Sequence, residues 1–366
     1  MSMKHKFNYE WTLKDANFTK DKGTVFSCFS CGGGSTMGYK LAGFDVLGCN
    51  EIDPKMMEVY KVNHDPKYSY LESIQEFKLR KDLPPELYNL DILDGSPPCS
   101  SFSMAGNREK DWGKEKKFRE GQANQVLDTL FFDFIDLAKE LQPKVVVAEN
   151  VKGMLLGDAK KYVIKVYKEF EKAGYYCQHW LLDASKMGVP QKRERVFFIC
   201  LRKDLAEPFM YQKDLFTRMP FLNLDFSEPP IKFNEIRKKT GNISAIGLSK
   251  MISHYWKKTT PGNNMSEKHP NGSYFNEVKL HPDKVVQTIR ANGLPYDYEV
   301  ERVMFDEEIK NCGSFPLDYR FLENKIGYLI GMSVPLVMMA QVASRIYEQW
   351  LSKLEKGDHQ QKHVTN

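Results

Sequence analysis

Short apolar runs alternate with segments of helical spacing through the first 200 residues, and this alternation limits the fold more than any other feature of the chain. The β-prone runs occupy residues 24–26, 44–49, 90–93, 144–150 and 195–200. Helical spacing occupies residues 35–42, 56–62, 127–141 and 162–173. Strands and helices that alternate in this way predict an α/β fold whose sheet is mostly parallel.

Composition narrows the class of protein. The 366 residues suffice for a substantial core, and 42% hydrophobic with 28% charged residues excludes disordered and fibrous classes. The mean hydropathy is −0.51. No apolar run approaches the roughly 18 residues of a membrane span, and Met1–Glu10 has no apolar stretch, so we expect neither a membrane segment nor a secretory signal. Seven cysteines, an odd number, favour a reducing, cytoplasmic environment over a disulfide framework.

Charge marks a second region of the chain. The alternation fades near Arg202, and residues 202–290 hold 15 Lys and Arg against 9 Asp and Glu, a net charge of +6 in a chain of +5. We therefore predict a main domain over 1–201 and a smaller domain or large insertion over 202–290. Residues 291–356 are expected to return to the main domain, and residues 357–366 to form a disordered tail.

A glycine cluster lies between the first predicted strand and its helix. Gly32, Gly33 and Gly34 allow a ligand close to the backbone, and Glu51 ends the next predicted strand, where an acidic side chain can bind ribose hydroxyls. Two alternatives remain at this point. The cluster is also compatible with a packing turn, or with a dinucleotide oxidoreductase, although the spacing through Gly38 is one residue longer than the usual fingerprint.

Three further motifs follow predicted strands. Cys99 comes after Pro97 and Pro98 on a rigid Ser- and Pro-rich loop, which favours an exposed thiol over a buried one. Glu149 ends an apolar strand, where it suits proton donation or a simple helix cap. Arg193 and Arg195 point to one side of the strand they enter, as in a binding site or an ordinary solvated edge strand.

Together and in this order, these segments resemble the DNA (cytosine-5)-methyltransferase family of the bacterial restriction–modification type. The resemblance extends from about Thr24 to Trp350 and includes the blocks Pro97–Cys99, Glu149–Val151, Gln191–Arg195 and Gly331–Pro335. It implies a class I (Rossmann-like) methyltransferase with a mixed, mostly parallel sheet. It also implies that residues 202–290 form a smaller target-recognition domain.

The resemblance implies a reaction and its residues. Cys99 is expected to add to carbon 6 of a flipped-out cytosine, so that carbon 5 can attack the methyl group of S-adenosylmethionine. Glu149 is expected to hold the ring nitrogen and amino group, and Arg195 with Arg193 to support the ring oxygen and the loop. The implied cofactor-binding residues are Phe29, Gly32, Gly33, Gly34, Glu51, Ile52, Ser73, Pro97, Leu130, Met332 and Ser333.

The implied partner is duplex DNA. Residues 100–122 correspond to the family's mobile loop, and this loop is rich in basic and aromatic side chains, as contact with phosphates and bases requires. The expected DNA-binding residues are Ser100, Ser103, Arg108, Lys116, Lys117, Arg119, Lys238, Lys239, Lys257, Lys258 and Thr288. We expect a monomer, encoded by a bacterium or phage, that can work beside a cognate restriction endonuclease. No metal is expected, because Cys28 and Cys31 have no second pair of cysteines at a matching spacing.

Four positions depart from the family pattern, all on the cofactor side: Ser27, Cys31, Ser73 and Met332. They motivate one alternative, a methylase-like DNA-binding protein with weakened activity. A second alternative is a transfer-RNA cytosine-5 methyltransferase, which also has Ser-Pro-Pro-Cys, present here as Ser96–Cys99. The Cys-Phe-Thr tripeptide of that branch is absent from this chain.

Overall fold

The structure is a computed structural model. It describes residues 4–98, 129–157, 159–214, 217–245, 247–273, 276–291 and 293–355, together with the backbone of 115–116 and 125–126. Its strands are β1 Thr24–Cys28, β2 Asp45–Glu51, β3 Tyr68–Leu71, β4 Ile92–Gly95, β5 Glu115–Lys116, β6 Gln125–Val126, β7 Val145–Val151, β8 Tyr175–Asp183, β9 Glu194–Arg202, β10 Met210–Gln212 and β11 Arg218–Pro220.

Helices connect these strands and dominate the C-terminal part of the described chain. The α-helices are α1 Gly34–Leu41, α2 Pro54–His64, α3 Ile74–Phe77, α4 Leu130–Leu141, α5 Ala159–Lys172, α6 Phe233–Ile236, α7 Lys250–Lys258, α8 Asp306–Gly313, α9 Ile326–Met332 and α10 Leu336–Ile346. Short 3₁₀ helices lie at Pro85–Asn89, Lys152–Leu155, Ala184–Lys186, Lys203–Leu205, Glu207–Phe209 and Met265–Lys268, and a π-helical turn lies at Tyr347–Leu351.

Seven strands form one sheet in the order β3-β2-β1-β4-β7-β9-β8. All neighbouring strands from β3 to β7 are parallel, whereas β9 is antiparallel to both β7 and β8. The predicted mixed, mostly parallel sheet is therefore confirmed. Because β9 runs in the opposite direction, its first residues lie at the edge where β1, β2, β4 and β7 end. In open α/β sheets this edge is where ligands bind.

Two hydrophobic clusters cover the two faces of the sheet. On one face, α4 and α5 pack against side chains such as Phe26, Val146 and Phe198. On the other face, α1 and α10 pack against alternate strand residues such as Val25, Val147 and Ile199. Strands that are apolar on both faces are typical of sheets covered by helices on both sides, which is why the runs in β7 and β9 are nearly continuous in β-branched and aromatic residues.

Two strands of this sheet were not expected from the sequence. Strand β3 is a short edge strand whose residues are exposed or half-buried, and its sequence therefore contains no apolar run that would predict it. Strand β8 is the opposite edge strand, and it mixes buried Cys177 with exposed His179 and Leu181. Edge strands need fewer apolar residues than central strands, and their sequence signal is correspondingly weaker.

The region from 202 to 290 contains short elements in place of a continuous sheet. Strands β10 and β11 form a two-stranded antiparallel hairpin, and Leu222 and Leu224 after it pack into the cluster under α10. Farther along, Ile231, Phe233 and Ile236 join a third cluster with α8 and α9. A smaller cluster around Trp256 combines residues from this region with Tyr296 and Val303.

Among the described residues, one helical stretch, Ile326–Glu355, is long and apolar enough to cross a membrane by length and composition, with a mean hydropathy of 1.7 over its most apolar 18-residue window. This corrects the expectation that no stretch of the chain comes near that limit. Most of its apolar window, 72%, is buried inside the fold. The apolar side chains of α10 and Trp350 pack against the sheet, and Leu329 and Ile330 of α9 pack in the third cluster, as the side chains of core helices do.

Candidate active site

The glycine cluster forms the turn between β1 and α1. Phe29 and Cys31 have φ values of 53° and 48°, and Gly33, the residue before α1, has a φ of 90°. The turn is closed by a hydrogen bond of 2.9 Å from the Gly33 N–H to the Ser30 carbonyl. Cys31 occupies a left-handed conformation that favours glycine, so the departure from the family pattern at this position has a cost in backbone strain.

Close packing explains the glycine at the first position of α1. A Cβ atom on Gly34 would lie 2.9 Å from the Ser333 Cβ and 3.0 Å from the Val334 carbonyl oxygen. The break between α9 and α10 is thereby brought against the glycine turn, about 300 residues away in sequence. Ser333 is buried and its hydroxyl donates to the Leu329 carbonyl at 2.8 Å, whereas Met332 is 44% exposed.

Glu51 holds the same turn from the end of β2. Its carboxylate accepts the Cys31 N–H at 2.6 Å and the N–H groups of Ile52 and Asp53 at 2.9 Å each. Burial raises the pKa of Glu51, and these backbone donors oppose the rise. A carboxylate oxygen has two lone pairs, so Glu51 retains acceptor capacity for ligand hydroxyls.

The other residues expected to bind the cofactor differ in their burial and in their hydrogen-bond partners. Leu130 is buried at the first position of α4, and the Phe29 ring lies edge-on to Phe134 with centroids 6.3 Å apart. Ser73 is the N-cap of α3. Its hydroxyl accepts the Glu76 N–H at 3.2 Å and donates to the Glu76 carboxylate at 2.7 Å, so its polar groups already have partners.

The Pro-Pro loop is tied to the end of β7. Pro97 is buried, and its carbonyl accepts a hydrogen bond of 3.0 Å from the Asn150 side-chain amide. The carbonyl of the Asn150 side chain accepts the Val151 N–H at 2.8 Å. Sequence reasoning gave Asn150 no role of its own, although it belongs to the Glu149–Val151 block. It fixes the loop that leads to Cys99, which itself lies outside the described residues.

Glu149 and Arg195 form an ion pair at this edge of the sheet. The Arg195 Nε lies 2.9 Å from the Glu149 Oε1, and their side chains are only 16% and 10% exposed. The antiparallel register of β7 and β9 places Arg195 opposite Val151, two residues beyond Glu149. Burial lowers the pKa of Arg195, and the Glu149 carboxylate opposes this. Sequence reasoning found both residues but not their pairing.

Arg193 lies two residues before Arg195 and is buried, with only 1% of its surface exposed. Its guanidinium donates to the carbonyls of Ile289 at 3.1 Å and Gly331 at 2.9 Å. Its Nε has no hydrogen-bond partner among the described residues. Burial, aided by the charge of Arg195, lowers its pKa well below the ordinary value. Arg193 therefore joins the start of β9 to two segments from the C-terminal part of the chain.

A buried acidic residue that sequence reasoning left without a role lies next to Ser27. Asp94, in β4, is paired in register with Ser27 of β1 and accepts its hydroxyl hydrogen bond at 2.7 Å and that of Tyr39 at 3.3 Å. Burial raises the pKa of Asp94 to about 7, Ser27 and Tyr39 oppose the rise, and Glu149 adds to it. The departure at Ser27 is thus accompanied by a carboxyl on the neighbouring strand, at the same level of the sheet.

Asp94→Asn is expected to stabilise the protein in a pH-dependent way. Because the folded-state pKa lies above the unfolded one, the carboxyl's contribution to the free energy of unfolding is full below about pH 4 and is lost as pH rises through about 7. The neutral amide can bond to both hydroxyls at every pH. Urea unfolding should give the variant an advantage on the order of 2 kcal/mol at pH 8, shrinking toward pH 5. A difference that does not change with pH would contradict this.

The expected DNA-binding residues fall into two groups. Ser100, Ser103, Arg108, Lys117 and Arg119 lie outside the described residues, as does the side chain of Lys116, whose backbone belongs to β5. Lys238 and Lys257 form ion pairs with Glu10 at 2.6 Å and Glu301 at 3.3 Å. Lys239 and Lys258 are exposed, and the half-buried Thr288 donates to the Lys192 carbonyl at 2.7 Å.

Comparison with known proteins decides the family. Residues 23–348 match the model of the C-5 cytosine-specific DNA methylases. The chain belongs to this family. It is 38% identical over 354 residues to the type II methyltransferase M.FnuDI of Fusobacterium nucleatum, an alignment that covers 90% of this chain and 95% of that protein. It is 36% identical to M.NgoPII of Neisseria gonorrhoeae, with 88% and 94% of the two chains covered.

Solved structures share the fold of this cytosine-5 DNA methylase. A protein encoded within an E. coli prophage superposes with a TM-score of 0.65 at 20% identity, over 89% of this chain and 99% of that one. DNMT2 of Spodoptera frugiperda gives a TM-score of 0.60 at 19% identity, over 88% and 99%. The predicted enzyme class, a DNA (cytosine-5) methyltransferase, is confirmed by the family match, and the oxidoreductase alternative is wrong. Among the described residues, no three His, Cys, Asp or Glu side chains are grouped to hold a metal.

Proposed function

We propose that this methylase transfers a methyl group from S-adenosylmethionine to carbon 5 of a cytosine flipped out of a specific duplex DNA sequence, through a covalent adduct with Cys99. The observation that carries the proposal is the buried pair of Glu149 and Arg195 beside the anchored Pro97 carbonyl. A buried ion pair adds little to stability, whereas charged groups that are fixed in place and shielded from water suit the stabilisation of charge that develops on a reacting ring. They stand at the sheet edge where the loop bearing Cys99 begins.

The residues around the glycine turn fit S-adenosylmethionine by the chemistry of their donor set. The buried Glu51 carboxylate suits the ribose hydroxyls, and the Phe29, Ile52 and Leu130 side chains offer apolar contacts for the adenine. Gly32, Gly33 and Gly34 allow the backbone to pass close to the methionine part. Bound S-adenosylmethionine supplies an electrophilic methyl sulfonium group. Ser73, Pro97, Met332 and Ser333 are proposed as further contacts.

The protein's own residues account for the activation of the cytosine. The Cys99 thiolate adds to carbon 6, and the electron pair of the carbon 5–carbon 6 double bond then forms the new bond from carbon 5 to the methyl group. The bond from that methyl group to sulfur breaks at the same time, and the sulfur keeps the electron pair and leaves as a neutral thioether. A base removes the proton from carbon 5, the double bond re-forms, and Cys99 leaves as the thiolate. Glu149 holds the ring nitrogen and amino group, and Arg195 the ring oxygen, where negative charge develops. Arg193 positions Arg195 by anchoring the start of β9.

Residues 202–290 are proposed as the target-recognition domain. Their net charge of +6 supports contact with the phosphate backbone, and the exposed Lys239 and Lys258 are candidate contacts there. Lys238, Lys257 and Thr288 must exchange their present partners to join them. The bacterial type II relatives support a cytoplasmic setting beside a restriction endonuclease. A monomer is proposed, because one chain provides both the catalytic edge and the basic region.

Incubation with methyl-labelled S-adenosylmethionine and either duplex DNA or transfer RNA tests this function. We expect label in DNA only, recovered as 5-methylcytosine after hydrolysis to bases. Label in transfer RNA alone would favour the RNA methyltransferase alternative, and label on adenine would exclude the proposed chemistry. Sequence-specific DNA binding without transfer would favour the weakened-activity alternative.

A further inference from the structure

Tyr319 reaches the glycine turn from a distant part of the chain. It lies after α8, is only 3% exposed, and its hydroxyl donates a hydrogen bond to the Gly32 carbonyl. The same hydroxyl oxygen lies 2.9 Å from the His64 Nε2. Since the tyrosine proton is used for Gly32, the His64 Nε2–H must donate to the tyrosine oxygen. Tyr319 and His64 thus form a two-step hydrogen-bond chain that ends on the turn.

His64 fills the space directly behind Gly33. It is the last residue of α2, is 6% exposed and lies against the Tyr60 ring, with centroids 4.5 Å apart. A Cβ atom on Gly33 would come within 2.1 Å of the His64 Nε2. Burial, with Lys40 nearby, lowers the pKa of His64 well below its ordinary value. The ring is therefore neutral at physiological pH, and the tautomer with its proton on Nε2 is the one that donates to the Tyr319 oxygen.

The turn that carries Tyr319 is itself fixed by the N-terminal segment. Two backbone N–H groups, of Leu13 and Lys14, donate to the Asp318 carboxylate at 2.6 and 3.1 Å. The Leu317 N–H donates to the Trp11 carbonyl at 2.9 Å. These N-terminal residues precede residue 23, where the match to the family model begins. The Tyr319 ring also packs against Phe315 and Phe321.

Glu51 and Tyr319 hold the turn in different ways. Glu51 accepts the Cys31 N–H and is also the proposed partner of the ribose hydroxyls, so its hydrogen bonds are shared with the ligand. Tyr319 binds only the protein, at Gly32, from the buried side. When a ligand recruits Glu51, the support from Tyr319 remains. The turn contains left-handed conformations at Cys31 and Gly33, and the one at Cys31 is strained because it favours glycine. Contacts from the surrounding structure are therefore needed to hold the turn in this shape.

We propose that Tyr319, acting with His64, is a positioning residue that keeps the Cys31–Gly33 turn in the conformation that binds S-adenosylmethionine. This inference rests on the proposed cofactor. It assigns Tyr319 no contact with the cofactor or the cytosine. Loss of the Tyr319 hydroxyl should therefore weaken cofactor binding and leave the rate of methyl transfer at saturating cofactor unchanged. Loss of Glu149 or Arg195, by contrast, should lower that rate.

Calorimetric titration of S-adenosylmethionine into Tyr319→Phe tests the inference. We expect the Kd to rise about tenfold and kcat at saturating cofactor to stay within about twofold of wild type. Tyr175→Phe is the matched control, because Tyr175 is equally buried and donates to the Pro143 carbonyl at 2.9 Å, away from the turn. Both variants should lose similar thermal stability, but only Tyr319→Phe should lose cofactor affinity.

A second variant protects the test against misfolding. His64→Leu leaves the Tyr319 hydroxyl in place but removes its donor, and we expect a rise in Kd of about threefold. An unchanged Kd in both folded variants, or an equal rise in Tyr175→Phe, would overturn the positioning role while leaving the proposed function intact. A wild-type protein that does not bind S-adenosylmethionine would overturn the proposed function, and this inference with it.

Discussion

Cys99→Ser is expected to reduce methyl transfer by at least about 10⁴-fold while leaving DNA binding within about twofold of wild type. A serine hydroxyl has almost the same size, but it is scarcely ionised near neutral pH and is a much weaker nucleophile toward carbon 6. The side chains proposed to contact DNA are all retained in this variant. Initial rates with labelled cofactor, together with an electrophoretic mobility assay, measure the two quantities separately.

A trapping experiment distinguishes the loss of a covalent step in Cys99→Ser from inactivity caused by misfolding of the variant. Fluorine at carbon 5 cannot leave as a proton does, so the adduct with Cys99 should accumulate on duplexes that contain 5-fluorocytosine. Wild type should give a complex that survives denaturing electrophoresis, and Cys99→Ser should not. Cys177→Ser, in the edge strand β8, is the control and should form the complex normally. Full activity in Cys99→Ser would show that no covalent step through this residue is needed.

Glu149→Gln is expected to lower both stability and activity. The amide keeps the shape of the side chain, but it leaves the nearly buried Arg195 guanidinium without the carboxylate that lies 2.9 Å from it. An uncompensated buried charge costs about 3 kcal/mol of unfolding free energy, and kcat should fall on the order of 10²- to 10³-fold because the group proposed to hold the cytosine is altered. Urea unfolding and methyl transfer at saturating substrate give the two numbers.

Two further variants separate these effects. Glu149→Gln combined with Arg195→Met removes both charges and should recover most of the lost stability but none of the activity. Glu194→Gln breaks a neighbouring ion pair, with Lys152 at 2.9 Å, in which both side chains are 38% exposed. Exposed pairs contribute little, so this control should lose less than about 1 kcal/mol. If the double variant were active, Glu149 and Arg195 would be a structural pair only.

The central strands and the motif residues could be predicted from the sequence because each carries a local signal. The apolar run of β7 ends at Glu149, and the basic residues at the start of β9 begin with Arg193, just before the strand, so the sequence alone places the sheet edge. The ion pair between Glu149 and Arg195 could not be, because it depends on the register of two antiparallel strands more than 40 residues apart. A local pattern contains no information on register.

Long-range contacts limited the rest of the prediction. Lys238 has the charge expected of a phosphate contact, yet it binds Glu10 from the N-terminal segment. Ser27 departs from the family pattern, and its sequence neighbourhood does not show that Asp94 on the adjacent strand places a carboxyl beside it. Tyr319 and Gly32 are 287 residues apart, and neither sequence neighbourhood suggests the other. Each of these partners is chosen by tertiary packing and not by local composition.

The position of α10 has a consequence for how the protein is made. All seven strands of the sheet have been synthesised once Arg202 is reached, but α10, which covers one face together with α1 and Trp350, comes about 140 residues later. Until then α1 alone covers that face, and the apolar surface that α10 will cover is exposed to water or to a chaperone. A ribosome-bound chain that ends near residue 201 should therefore aggregate or be degraded, and dividing the gene at that boundary should yield soluble protein only if both fragments are produced together.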